Sequence, residues 1–240
     1  MTDTSERHDP IEHFNERASE WTDLYARPQF RDRLNLFARN VQELAPNNAE
    51  ILDYGCGSGI IALELAKLGF NVNGVDGAKG MVDQALMEAE TRNIKNINFE
   101  CIDHLIWHPN KQYDVIVCSS VLEYVLDDES LLSCFSQWLK HGAWLLISIP
   151  MEPSLLGFIE DTSQKLLGRK RDVEFAQRRY KRSQFSQRLE KLDLVPLKWI
   201  GFDFPIFGKF GVMLSRIPSF GLMSLVIAQK TLVNQNHNLD

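Results

Sequence analysis

ILDYGCGSGI, residues 51–60, is the stretch whose reading decides the fold. An apolar run ends at Asp53-Tyr54, and Gly55, Gly57 and Gly59 alternate with other residues before apolar residues resume. A buried strand entering a glycine-rich turn and then a helix brings main-chain N–H groups and a helix N-terminus to one spot. A ligand can lie against the backbone there. In open α/β sheets such a turn sits at the carboxyl edge of the strands. The dinucleotide pattern G-x-G-x-x-G does not fit. Counted from Gly55 and Gly57, its third position is Ile60, where a branched side chain would hinder close helix–strand packing. The chain instead reads Asp-x-Gly-x-Gly-x-Gly, with Asp53 two residues before the first glycine.

Outward from this turn, strand-like and helix-like segments alternate. The expected strands are 50–54, 71–76, 97–102, 113–120 and 143–150, with helices over 60–69 and 79–92 and a further one running to about residue 140. Continuous apolar strands alternating with helices predict a parallel sheet covered on both faces. Ahead of them, residues 10–45 carry helical periodicity studded with Phe14, Trp21, Tyr25, Phe30 and Phe37. Beyond residue 150 the pattern changes. Residues 151–192 read as helical, strands return at 194–204 and 221–230, and an apolar Phe/Gly-rich segment, 205–220, lies between these two.

The 240 residues are 44% hydrophobic and 24% charged, enough for one domain with a sizeable core. The formal net charge of -6 argues against general nucleic-acid binding. The charge is uneven: Lys165–Lys191 holds ten Lys/Arg against three acids. The plain reading is a solvated helix face. The sharper one is an anionic partner, either an acidic substrate or an anionic membrane surface. Cys56, Cys101, Cys118 and Cys134 form no C-x-x-C pair, so buried free thiols are expected rather than zinc ligands or disulfides. The N-terminus lacks the basic and apolar regions of a secretion signal, and no apolar run reaches membrane-span length, so a cytoplasmic location is expected.

LDYGCGSG resembles the first motif of the class I S-adenosylmethionine (SAM) methyltransferases, and the resemblance continues in order along the chain. Asp76 closes the second strand where that family's acid holds both ribose hydroxyls, and GAKGMVDQA is similar to the turn that follows, with Gly77 and Met81 beside the adenine. Asp103, with His104 next to it, falls where the family accepts from the adenine amine. SSVLEYV, residues 119–125, resembles the segment lining the methionine end of the cofactor, with Ser119 at its start. LKHGAWLLISIP resembles the turn into the fifth strand, although His141 and Ala143 stand where Pro and Gly are usual. The resemblance implies a Rossmann-like, seven-stranded, mostly parallel sheet with helices on both faces and the last strand antiparallel. It further implies one domain: an N-terminal helical cover (1–45), a SAM-binding core (46–150), a helical substrate cap after the fifth strand (151–192) and final strands (193–230). The small-molecule branch that includes the ubiquinone-pathway enzymes is the nearest in pattern.

The chemistry agrees. SAM joins a zwitterionic amino acid head, a sulfonium and an adenosine. An acid near the ammonium, Asp53, and one carboxylate for a diol, Asp76, suit it. With no diphosphate to hold, the glycines clear space for the head and sugar. Tyr25 or Arg33 would meet the methionine carboxylate from the N-terminal cover. Arg33 suits two-pronged binding, with Arg31 and Arg39 as the alternatives. Tyr124 and Glu123 are the acceptor-side candidates for catalysis. The ubiquinone-pathway enzymes often read LEHV where this chain reads LEYV, which leaves no histidine base at that point. His104 and His108 lie on the adenine side. The implied activity is methyl transfer to an O, N or C nucleophile of a small molecule, hydrophobic or anionic, driven mainly by alignment and needing no metal. The alternatives are a silent SAM- or SAH-binding partner subunit and an RNA methyltransferase. A DNA methyltransferase is set aside, because no Asn-Pro-Pro-Tyr-type motif follows YDVIVCSS.

Overall fold

A computed structural model describes residues 10–18, 21, 28–152, 178–202 and 223–232. Its elements are helices α1 (Pro10–Glu16) and α2 (Pro28–Leu44), β1 (Glu50–Tyr54), α3 (Ile60–Lys67), β2 (Asn71–Asp76), α4 (Lys79–Thr91), β3 (Ile97–Cys101) and β4 (Tyr113–Ser119). A 3₁₀ turn (Leu122–Tyr124), α5 (Asp128–Trp138), β5 (Leu139–Pro150), α6 (Arg182–Glu190), β6 (Leu194–Phe202) and β7 (Met223–Lys230) follow. The strands form a seven-stranded sheet of order β3-β2-β1-β4-β5-β7-β6. The first five strands pair in parallel, and β7 runs antiparallel to both β5 and β6. The order reverses direction between β1 and β4, so the carboxyl ends of these two strands open the crevice where ligands bind in such sheets.

Strand alternation sorts the core into two layers. Leu52, Ile116 and Ile147 face α5 and α6, where Leu132, Phe135 and Phe185 are buried. Ile51, Val115 and Leu146 face α2, α3 and α4, against Phe37, Leu63 and Ala85. The sequence therefore reads as near-continuous apolar runs in the strands and as one-sided stripes in the helices.

The glycine turn is shaped by what presses on it. Gly59 has φ 78°, and a Cβ there would lie 2.6 Å from the Phe99 ring and 2.8 Å from Ala85. Gly59, not position 60, thus provides the close packing of α3 and α4 onto the sheet, and Ile60 buries its side chain beside it. Gly55 has φ 71°, and its Cβ would strike Val121 Cγ2 at 2.1 Å. The turn after β1 and the turn after β4 can therefore close on each other only over a glycine.

Three expectations change. The helix expected to reach residue 140 ends at Trp138, and β5 starts at Leu139 rather than 143. Tyr113 pairs with Leu139 but Val115 with Trp144, so the bulge between them hides the strand's start. Gly142, at φ 77°, makes that bulge possible. His141 accordingly lies within the strand, its Nδ1 3.1 Å from the Thr231 carbonyl. Residues 178–180, expected as helix, are extended. Tyr180 bridges Met151 in parallel, and its amide donates to the Pro150 carbonyl at 2.9 Å. The buried hydroxyl of Tyr180 donates to Asp128, which fixes this conformation. Finally, Cys101 is exposed, while Cys56 and Cys118 are buried. Tyr25, the basic run 165–177 and the segment 205–220 lie outside the described residues.

Gly59→Ala should destabilise the protein by about 2–4 kcal/mol, from left-handed backbone strain plus overpacking against Phe99. Urea denaturation checks this; a midpoint matching the parent would contradict the close approach.

Candidate functional site

Three strand ends and one helix build the site. Asp53 ends β1, Asp76 ends β2, and Ser119-Ser120 end β4. The Asp76 carboxylate joins two turns. One oxygen accepts from Gly57 N and the other from Ala78 N, both at 2.8 Å. The turn amides Gly55 N and Cys56 N donate to the Val75 carbonyl at 2.8 and 3.0 Å. The glycine turn is thereby tied to β2 at three amides. Among the described residues, a Cβ at Gly57 would meet only the Trp21 indole, at 3.8 Å.

Asp53 lies under this turn, 1% exposed, with Oδ2 unpartnered. Burial and the neighbouring charge of Asp76 raise its carboxyl from the ordinary 3.8 to about 7. Burial also raises Asp76, against the pull of the Ala78, Gly57 and Gly77 amides. Two carboxyls in one desolvated corner, one with a bare oxygen, call for a cationic donor. Cys56 beside them is pushed well above its ordinary value by burial and by both carboxylates, so it stays a thiol.

On the β4 side, Ser120 adopts φ 55°, uncommon for a residue with a side chain. Its amide donates to Ser148 Oγ at 2.9 Å, and its Oγ accepts from Arg33 Nη1 at 3.0 Å. Arg33 also stands over the Phe30 and Phe202 rings. Of the three candidate arginines it alone reaches this corner among the described contacts: Arg31 is exposed and Arg39 pairs with Glu43. Ser119 Oγ is buried without a partner. Glu123 is 3% exposed with Oε2 unpartnered. Burial lifts its carboxyl to about 7, opposed by the charge of Arg33. The Tyr124 ring meets Phe14 edge-on at 5.5 Å.

Helix α1 covers the β2–α4 turn. Ile11 packs against Gly77, and Asn15 Oδ1 accepts from Gly80 N at 2.8 Å. Met81 is buried with Ala18 and Ala78 beneath this cover, bordered by Ile11, Phe14 and Trp21. Asp103 and His104 are exposed beyond β3, and Asp103 Oδ1 caps its own turn by accepting from Leu105 N at 3.0 Å. His108 stands away from the glycine turn, its ring 6.0 Å from Trp138.

Sequence reading missed a cluster that braces the Leu122–Tyr124 turn. Asp128, 6% exposed, accepts from Tyr180 Oη at 2.9 Å and Arg188 Nη1 at 3.0 Å, and pairs with Arg178 at 2.6 Å. Burial pushes its carboxyl up, but Arg188, Tyr180 and Arg178 bring it below the ordinary range overall. Tyr180 Oη also reaches the Leu122 carbonyl at 3.3 Å, so the cluster holds the turn that carries Glu123 and Tyr124. A cavity of about 340 Å³ opens beside it, lined by Glu152, Arg178, Arg179, Lys181, Gln184 and Arg188 among others. The only signal was the helix start Asp127-Asp128-Glu129-Ser130, which marks a cap at Asp127 but says nothing of Asp128.

Residues 25–198 match the profile of a family described as a methyltransferase domain. A ubiquinone biosynthesis O-methyltransferase from Hydrogenovibrio crunogenus is 32% identical over 149 residues, covering 58% of this chain and 60% of the relative. One from Rickettsia bellii is 43% identical over 104 residues, covering 42% of each. The matches thus span about half the length of these curated relatives. A crystal structure of magnesium protoporphyrin IX methyltransferase from Synechocystis, with bound SAH, superposes with TM-score 0.71 at 16% identity, covering 92% of this chain and 98% of that one. That likeness shows the fold.

The raised carboxyls of Asp53 and Glu123 contribute to the pH dependence of the unliganded protein. Asp53 and Glu123 hold protons more tightly folded than unfolded, so stability is greatest while they stay protonated. It falls as pH rises from the ordinary carboxylate range through about 7. Asp53→Asn and Glu123→Gln should each flatten this slope and raise the thermal midpoint near pH 8 by about 2–8 °C. Melting curves from pH 5 to pH 8 check it; parallel curves for parent and variants would contradict the buried charges.

Proposed function

The chain belongs to the methyltransferase domain family, and from that premise we propose that it binds SAM and transfers its methyl group to a small-molecule nucleophile. The observation that carries this reading is the unpartnered Asp53 oxygen, desolvated beneath the glycine turn. An amino acid head fits there. Its ammonium answers the bare Asp53 oxygen, directly or through one water. Its carboxylate suits Arg33 and the hydroxyls of Ser119 and Ser120. Asp76 already accepts one amide on each oxygen and keeps a lone pair on each for a ribose diol. Ala78 and Met81 lie beneath the cover of α1 and would give an adenine an apolar bed once that cover lifts. The residues present fit the amino acid head and ribose of SAM.

SAM supplies a methyl already activated for displacement by its sulfonium. What remains for the chain is to align the acceptor with it and to exclude water. Helix α1 closes one side, through Ile11 on Gly77 and Asn15 on Gly80. The Leu122–Tyr124 turn, braced by Tyr180 and Asp128, presents the acceptor side. Glu123 titrates near neutrality, which suits it to take the proton of an acceptor hydroxyl. Likeness to ubiquinone biosynthesis O-methyltransferases favours an oxygen acceptor, and the Arg- and Lys-lined cavity beside Tyr180 favours one bearing a negative charge. Among the described residues no helix is long and apolar enough to cross a membrane, and no cluster of three His, Cys, Asp or Glu stands ready for a metal.

Calorimetry with SAM should show saturable binding to the parent protein. Asp76→Asn should weaken it at least about tenfold, because an amide cannot accept from both hydroxyls as a carboxylate does. Affinity within twofold of the parent would remove Asp76 from the cofactor. Incubation with methyl-labelled SAM and a host extract should then yield labelled small molecules, and Glu123→Gln should lower the rate most at the alkaline end of its pH profile. A protein that binds SAM but labels nothing would point to a silent binding subunit.

A further inference from the structure

Ser148 is a polar residue in an apolar stretch of β5. Its neighbours Leu145, Leu146, Ile147 and Ile149 belong to the core, and Ser148 itself is fully buried. By strand alternation it faces the same side of the sheet as Leu146, the side covered by α2. A buried hydroxyl needs a partner, and this one finds it at the end of the neighbouring strand. The last paired residues of β4 and β5 are Ser119 and Ser148. One residue on, Ser120 turns left-handed at φ 55°, and its amide donates to Ser148 Oγ at 2.9 Å. A left-handed serine is strained, and this hydrogen bond helps hold it there. Ser120 Oγ in turn accepts from Arg33 Nη1 at 3.0 Å. The Arg33 guanidinium stands 5.5 Å from the Phe30 ring centre and 5.4 Å from that of Phe202. A line thus runs from the buried sheet, through the turn after β4, to a guanidinium on α2.

We propose that Ser148 is a positioning residue for the cofactor's amino acid head: through Ser120 it sets the guanidinium of Arg33 where the head's carboxylate is bound. The proposal rests on the cofactor reading above and adds to it a residue that itself touches no ligand. A guanidinium meets a carboxylate well only when its plane is set, because its donors form a rigid fork. The Nη1 hydrogen bond to Ser120 and the two rings beside it set that plane. Without the Ser148 hydroxyl the Ser120 amide loses its acceptor, and the turn that aims Ser120 Oγ at Arg33 is no longer held. The alternative is that Ser148 only satisfies a buried amide. Its loss would then cost stability and weaken every ligand alike.

The test is calorimetric titration of the full chain with SAH and with 5′-methylthioadenosine. Both carry a neutral thioether and the same adenosine, and only SAH carries the amino acid head. Parent, Ser120→Ala, Ser148→Ala, Arg33→Ala and the double variant Arg33→Ala/Ser148→Ala are compared. Ser120→Ala and Ser148→Ala should each weaken SAH by about three- to tenfold, with methylthioadenosine within about twofold of the parent. The double variant should bind SAH within about twofold of Arg33→Ala, because the residues act in series. Retained methylthioadenosine binding certifies each variant as folded. Ser120→Ala leaves the buried strand untouched, so unchanged SAH affinity in that variant overturns the relay by itself, whether or not Ser148→Ala folds. An equal loss for both ligands, or losses that multiply in the double variant, also overturns it and leaves the cofactor reading intact. A parent protein that binds neither ligand overturns both.

Discussion

The carboxylate of Asp76 is the joint on which the site depends. It stands at the end of β2 and accepts from one amide of the glycine turn and one of its own turn. A carboxylate in that position gathers N–H groups that a buried turn would otherwise leave unsatisfied. It also sets a negative charge close to Asp53, which adds to burial in raising that group's titration. With two acids held close together and little water, the thiol of Cys56 stays protonated.

The same corner shows why the glycines are placed as they are, each for a different reason. Gly55 yields to Val121, so that the β1 and β4 turns touch. Gly59 yields to Phe99 and Ala85, so that two helices seat on the sheet. Among the described residues Gly57 meets only the edge of Trp21. Packing thus accounts for two of the three, and the proposed cofactor reading gives the third its use.

Much of this was legible in the chain, because strand alternation, glycine spacing and an acid at a strand end are local patterns. β1 and β2 fall where their apolar runs place them, and the antiparallel β7 agrees with the resemblance. The start of β5 was not legible. Lys140 and His141 read as turn, whereas the bulge at Gly142, the Lys140–Asp114 ion pair and the His141–Thr231 contact hold them in the strand. Tyr180 falls in the segment 151–192 that reads as helical, whereas a buried hydrogen bond to Asp128 holds it extended. Asp53 and Asp76 stood out as site residues. The brace at Asp128 did not, since its partners lie 50 to 60 positions away in sequence and no local pattern records such a meeting. Arg33 separated from Arg31 and Arg39 only once α2 had a direction in space.

We propose that the turn over Asp53 holds an amino acid head with its ribose end at Asp76. A crystal structure of the protein grown with SAH tests it most directly. The account predicts the ligand's ammonium within hydrogen-bonding reach of Asp53, directly or through one water, its diol on Asp76, and its sulfur near Gly57. A ligand lying elsewhere on the sheet edge, or one whose ribose is held by another residue while Asp76 keeps only its two amides, would contradict it.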